Sequence, residues 1–228
     1  MRCHNLLLLA ITMLVAIYSA CDRNASTQTV QNQTNQHDET FGDAQSAANA
    51  SLATFRKLVT NQNYRDLGFE SAEEPASATL GTPLPVVFVH LNQLREYSEG
   101  TDPNTLIGQS NQMNFPVMVR DQVRTSVVVE QVDGKWKMAT LGNGALAKQI
   151  AALRPGQAAP SGSTQQALVH VGALGMYFLG ERTDNKWMLK PLSDNPDLNF
   201  GAGKGMPAEE VFMRLAPIAK TLRDDAPM

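Results

Sequence analysis

Residues Glu130–Trp136 read Glu-Gln-Val-Asp-Gly-Lys-Trp, and they decide the fold predicted for this chain. They follow the β-branched run Ser126–Val129. Asp133-Gly134 at their centre is a strong signal for a two-residue hairpin turn, because glycine accepts the positive φ that such a turn needs. A similar stretch, Glu181–Trp187, reads Glu-Arg-Thr-Asp-Asn-Lys-Trp and follows the apolar run Met176–Leu179. Two β-hairpins are therefore predicted.

Two-residue turns also predict which residues face each other across each hairpin. In the first hairpin Val127 faces Thr140, and in the second Arg182 faces Trp187. Trp136 and Trp187 then lie on the more apolar face of their hairpins, where aromatic rings usually anchor a core, with Arg182 over the Trp187 ring. The alternative is a pair of aromatic platforms for a ligand, which makes Trp136, Trp187 and Arg182 candidate binding residues.

The strand pattern predicts an α+β fold. Its antiparallel sheet is built from two similar three-stranded meanders, with helices packed on one face. The likeness of the two meanders is consistent with an ancient duplication, or with two independent hairpins that share a turn sequence. The predicted strands cover 115–120, 123–132 and 135–141 in the first meander, 166–171, 174–182 and 186–191 in the second, and 86–90 before both.

Helical spacing and capping residues predict where the helices lie. A first helix begins at Asp43, another covers 145–153, and the last begins at Pro207, which suits a first helical turn. Ser71-Ala-Glu-Glu74 has the spacing of a capping box and predicts a further short helix, which Gly81 ends.

Composition sets limits on the class of protein. The chain has 228 residues, enough for one domain or two small ones, and 43% of them are hydrophobic. Its formal net charge of −3 provides no basic field for a phosphate backbone, so no nucleic acid partner is expected. Both cysteines, Cys3 and Cys21, lie near the start, which excludes a disulfide framework or a cysteine-based zinc site in the body of the protein.

The first residues have the pattern of a secretory signal. Arg2 gives a short positive region, and Leu6–Tyr18 is mostly large and apolar. The small residues Ser19 and Ala20 follow, and then Cys21. The apolar run is too short for a comfortable membrane span, so an export signal is predicted.

Tyr18-Ser19-Ala20-Cys21 resembles the lipobox of bacterial lipoproteins, from which Tyr18 departs, because an aliphatic residue is usual there. The resemblance implies cleavage before Cys21, its lipid modification with acyl chains such as palmitate, and a stable membrane anchor. It places the protein in the bacterial cell envelope, on the periplasmic face of the inner or the outer membrane. Asp22 resembles an inner-membrane retention signal. The alternative is an ordinary signal peptide with a chance cysteine.

Composition shifts along the chain predict its organisation, with the folded part, 43–228, as one compact unit. Residues 24–40 are rich in Gln, Asn, Thr and Ser, which is typical of a tether that does not fold. The predicted segments are a signal peptide (1–20), a flexible polar tether (21–42), a helical part with one strand (43–112), the first meander and a helix (113–156), a linker (157–165), and the second meander and last helix (166–228).

Few residues suggest chemistry. His90 and His170 each lie in a β-like run without a spacing that would bring metal ligands together, so they are interpreted as ordinary strand residues, and neither a metal nor a cofactor is expected. Gly201-Ala-Gly-Lys-Gly205 resembles a phosphate-binding loop, but no Ser or Thr follows Lys204. The segment is predicted to be a flexible turn, with Lys204 as a candidate binding residue.

Three functions stay open. The anchor, the tether and the lack of catalytic motifs favour a non-enzymatic envelope lipoprotein that binds a protein or a wall component. A small-molecule or lipid carrier is the second, and mostly small residues between sheet and helices would favour it. The third is a hydrolase with carboxylates from both halves, which a pair of acidic side chains in one cleft, with a raised pKa, would favour.

Overall fold

The computed structural model describes residues 43–155 and 164–222, which belong to the compact unit Thr40–Met228. The predicted signal peptide with Cys21, the tether and residues 157–163 of the predicted linker lie outside these ranges. The described part is a mixed α+β fold with a nine-stranded sheet and four helices, so the α+β part of the prediction is confirmed. None of these helices is long and apolar enough to cross a membrane.

Helices and strands follow each other along the chain with short connections. The helices are α1 (43–58), α2 (Leu91–Glu96), α3 (Gly144–Leu153) and α4 (Ala208–Thr221). The strands are β1 (Thr79–Leu80), β2 (Leu84–Phe88), β3 (Gln112–Val119), β4 (Gln122–Val132), β5 (Lys135–Gly142), β6 (Gln165–Val171), β7 (Met176–Thr183), β8 (Lys186–Pro191) and β9 (Met206–Pro207).

The strand order is β5-β4-β3-β2-β6-β7-β8-β9, and β1 also pairs with β3. Strands β3-β4-β5 pair consecutively and antiparallel, and so do β6-β7-β8. Strand β2 joins the two groups, because it lies antiparallel to β3 and parallel to β6. The sheet is therefore mostly antiparallel, with one parallel pair that the sequence did not predict.

Helices cover both faces of the sheet, so the prediction that they pack on one face is wrong. Val87 packs in one apolar cluster with α2 and α4, whereas its neighbour Val86 packs in another with Ile150 of α3. Because successive strand residues point to opposite faces, α3 lies across the sheet from α2 and α4. Helix α1 shares their face, since Met113 in its cluster pairs with Pro85, two residues before Val87.

The hairpin turns form as the sequence predicts. Asp133-Gly134 and Asp184-Asn185 have φ angles of 53° and 72°, and 49° and 63°, as a two-residue turn of this hand requires. Arg182 faces Trp187 as predicted. Val127 instead faces Leu141, because a bulge between Val128 and Val129 shifts the register of β4 against β5. The predicted pairing of Val127 with Thr140 is therefore wrong.

The short helix predicted after Ser71 is also absent from the described structure. In its place a single 3-10 turn, Glu74–Ser77, leads into β1. The Glu74 carboxylate caps no helix, because it accepts from the Glu70 N–H over 2.8 Å and binds Arg124. Arg56 of α1 donates to the Pro75 carbonyl over 3.0 Å, which holds the turn against that helix. Long-range contacts thus override the local helix signal.

Candidate functional site

A polar groove lies where the loop after β8 meets α4. Its volume is about 640 Å³, within the range of roughly 300–1,000 Å³ typical of small-ligand sites. The segment predicted from sequence as a possible phosphate loop forms part of its wall. The groove is lined by Asp194, Pro196, Asn199, Phe200, Gly201, Lys204, Gly205, Met206, Glu210 and Arg214.

Backbone hydrogen bonds hold the loop that forms the groove. Asn195 and Phe200 exchange two N–H···O bonds of 2.9 Å, and the Gly203 N–H donates to the Pro191 carbonyl over 2.8 Å. Gly203 has a φ of 73°, which glycine adopts without strain. The turn predicted here therefore exists, but it is tied to β8 by contacts that the sequence did not reveal.

Arg214 of α4 fastens the same loop to the helix. Its Nη1 donates to the carbonyls of Leu198 and Asn199 over 3.1 and 2.9 Å, and its Nη2 donates to Glu210, one helical turn earlier. The guanidinium also lies 5.6 Å from the centre of the Phe200 ring. Its donors are thus largely used within the protein, and the role of Arg214 is to shape the groove.

Lys204 is held differently from Arg214. Its side chain is exposed and lies over Gly201, where an added Cβ would come 2.7 Å from the Lys204 Cδ. No hydrogen-bond or ion-pair partner of Lys204 Nζ is found within residues 43–155 and 164–222. The groove therefore receives a free ammonium group at its glycine-rich wall.

Two carboxylates line the same groove. Asp194 Oδ1 accepts from the Ala202 N–H over 2.8 Å, and Glu210 binds Arg214. Both side chains are exposed, so each keeps oxygen lone pairs free for a ligand. Across the described ranges, no group of three or more His, Cys, Asp or Glu side chains is arranged to hold a metal ion. The groove can bind both charges of a ligand that carries an anion and a cation.

The two tryptophans lie far from each other in the sheet. Trp187 on β8 is 9% exposed and packs in the core with α4, and Arg182 lies 5.8 Å from its ring centre. Trp136 on β5 is half-buried against the cluster of α1. Both indole Nε1 atoms are buried without a hydrogen-bond partner. Five strands separate β5 from β8, so the candidate binding residues Trp136 and Trp187 do not share a site.

The sequence reasoning missed a row of aromatic side chains across three neighbouring strands. Phe88, His170 and Tyr177 are successive cross-strand partners on β2, β6 and β7. The His170 and Tyr177 rings stack 4.0 Å apart at 7°, and Phe88 lies 5.3 Å from His170. Burial lowers the pKa of His170 and raises the pKa of Tyr177. The sequence could have revealed the His170–Tyr177 pair, because β6 and β7 are consecutive antiparallel strands. The pairing of Phe88 with His170 could not be predicted, because β2 and β6 are distant in the chain.

Asp194, Glu210 and Arg214 were also missed, because nothing in the local sequence connects them to Lys204. Cys21 lies outside the described residues, so its lipidation stays a prediction.

No protein-family model, no curated protein and no solved structure matches this chain.

Proposed function

We propose that this protein is a lipid-anchored component of the bacterial cell envelope whose folded domain binds a protein or a wall component without catalysing a reaction. The lipobox-like signal and Cys21 support a lipid anchor, which holds the folded domain on the periplasmic face of the membrane. The polar segment 21–42 supports a tether that gives the domain reach from the membrane. Binding close to a membrane surface is the function that this order of segments favours.

The groove beside Lys204 is the observation that carries the binding role. It combines a concave shape with a free ammonium group and two carboxylates, which is the arrangement expected where a few polar groups orient a ligand. His90 and His170 do not line it, so neither imidazole stands ready as a general base there. The groove is therefore better suited to holding a ligand than to transforming one.

The carrier hypothesis has less support. It needs a cavity between sheet and helices, with mostly small residues facing inward. Large aromatic side chains instead fill the apolar clusters of the described part. The aromatic side chains that are at most 2% exposed include Tyr97, Phe55, Phe115, Phe178 and Phe212.

One observation favours a hydrolase as a second candidate, since Asp194 and Glu210 are carboxylates in one cleft. Both come from the second half, 166–228, and not from both halves as the hypothesis from sequence required. Glu210 is held by Arg214, which limits its use as an acid or base. Incubating the purified protein with isolated cell walls tests this candidate. Release of soluble wall fragments by the wild type but not by Asp194→Asn would replace the binding proposal with a hydrolase.

We also propose that β3–β5 and β6–β8 are two related meanders. Each group pairs consecutively and ends in a hairpin with two positive-φ turn residues before a tryptophan. The shared pattern Glu-x-x-Asp-x-Lys-Trp supports this relation. A distant relative that carries only one of the two groups, or more than two, would support duplication.

Cross-linking in intact cells tests the envelope proposal. The wild type and Cys21→Ala are purified through a C-terminal tag after cross-linking, and their products are compared. We expect the wild type in the membrane fraction with a defined envelope partner that Cys21→Ala loses. Recovery of Cys21→Ala in the membrane with an unchanged partner would contradict the anchor. No cross-linked product in either case would contradict the binding role.

A further inference from the structure

The charges of the groove do not all cancel within the protein. Arg214 and Glu210 bind each other, and the Arg214 guanidinium also donates to two carbonyls. Lys204 and Asp194 remain, and they form no ion pair with each other although both line the groove. A separated ammonium and carboxylate in one concave site are complementary to a ligand with the opposite two charges.

The need to bring both charges of the ligand into one groove limits its class. A long polypeptide has its amino and carboxyl ends far apart, so one end at a time reaches a groove of about 640 Å³. A short peptide brings both ends into the same groove. Capture of chain ends is a known mode of peptide recognition. Pro196 and Met206 add apolar lining that suits small aliphatic side chains.

We infer that the groove binds short peptides that carry a free amine and a free carboxylate, with Lys204 holding the carboxylate and Asp194 the amine. This inference rests on the proposed binding function and names its ligand class. The hydrogen bond from the Ala202 N–H to Oδ1 fixes the Asp194 carboxylate and leaves Oδ2 for the ligand. Lys204 has all three ammonium protons available.

Gly201 is the positioning residue for Lys204. The Lys204 stem crosses Gly201 so closely that an added Cβ would lie 2.7 Å from Cδ and 3.1 Å from Cε. Gly201→Ala therefore displaces the ammonium group while keeping its charge. We expect this variant to lose affinity for the peptide carboxylate and to retain its affinity for a peptide amide.

The test uses the lipid-anchored protein in detergent and follows its amide chemical shifts during titration with trialanine, its N-acetyl form and its amide form. We expect trialanine to bind most tightly, and each blocked form to bind about fivefold more weakly, the loss of roughly one exposed ion pair. Lys204→Met should weaken trialanine about fivefold and leave the amide form unchanged. Asp194→Asn, which keeps an acceptor for Ala202, should weaken trialanine and leave the N-acetyl form unchanged.

Lys148→Met on α3 is the matched control, because Lys148 is exposed and does not line the groove. It should bind all three peptides as the wild type does. Equal affinities for trialanine and its blocked forms, or an unchanged affinity in Lys204→Met, would overturn the inference. In that case a defined partner cross-linked to the wild type in cells leaves the envelope proposal standing, whereas the absence of any partner cross-linked to the wild type defeats that proposal separately.

Discussion

Arg124 donates twice to the same oxygen, Oε1 of Glu74, from Nη2 over 2.9 Å and from Nε over 3.2 Å. Both side chains are nearly buried, at 8% and 12% exposed. The other Glu74 oxygen accepts from the Glu70 N–H. This ion pair ties the turn Glu74–Ser77 to β4, in the place where the local sequence favours a helix.

Removing one partner of that pair should destabilise the protein strongly. Glu74→Ala leaves the nearly buried Arg124 guanidinium with only the exposed Glu70 carboxylate as an ion-pair partner, so we expect the free energy of unfolding to fall by about 3 kcal/mol in urea titrations. Glu70→Ala is the control, because Glu70 lies 2.7 Å from Arg124 Nη1 but is 67% exposed. The free energy of unfolding of Glu70→Ala should fall by less than about 1 kcal/mol. Equal losses in the two variants would show that burial does not set the strength of this cluster.

The close contact between Gly180 and the Trp187 ring predicts a second effect. A Cβ at Gly180 would lie 3.0 Å from Trp187 Cζ3 and 3.2 Å from Val169 Cγ2. We expect Gly180→Ala to lower the free energy of unfolding by about 1–3 kcal/mol through overpacking. In Gly108→Ala the new methyl group meets nothing within 4 Å, so that variant should unfold like the wild type. A stable Gly180→Ala protein would mean that the Trp187 ring shifts freely.

Asn143 begins α3 in a left-handed conformation, with a φ of 66°, and its side chain accepts from the Leu146 N–H over 3.1 Å. Asn143→Ala loses this cap and strains the backbone, so we expect a loss of about 1–2 kcal/mol in stability. Asn143→Gly relieves the strain and should cost only a few tenths of a kcal/mol. Thermal unfolding of the two variants side by side measures the difference. A more stable alanine than glycine variant would contradict this account.

The stacked His170 predicts a pH dependence. Burial lowers the pKa of His170 in the folded protein below its unfolded value of about 6.5. Below that pH the unfolded chain binds a proton at His170 more readily than the folded protein does. The free energy of unfolding therefore falls as the pH drops from about 6.5 through the lower pKa of the folded protein. His170→Phe keeps a ring against Tyr177, so its unfolding free energy should fall less steeply with acid. Parallel pH profiles for wild type and His170→Phe would contradict this assignment.

The candidate site shows the limit of local patterns. Lys204 was found because its glycine-rich segment is unusual in sequence. Asp194 and Arg214, its companions in the groove, each lie ten residues from Lys204, one in the loop after β8 and the other on α4. Their meeting depends on how the loop after β8 folds back on α4, and no spacing of residues encodes that. The hydrogen bonds from Arg214 to Leu198 and Asn199 are what bring the two segments together.

The sequence alone determined the hairpin turns, most of the strands, the longer helices α1, α3 and α4, and the pairing of Arg182 with Trp187, because turn chemistry and residue periodicity act within a few positions. Tertiary structure decided the parallel pairing of β2 with β6, the place of α3 on the second face, and the bulge between Val128 and Val129. These features depend on which distant apolar surfaces bury each other. The sequence of one strand is compatible with several pairing partners, so its neighbours are set by the packing of the whole chain.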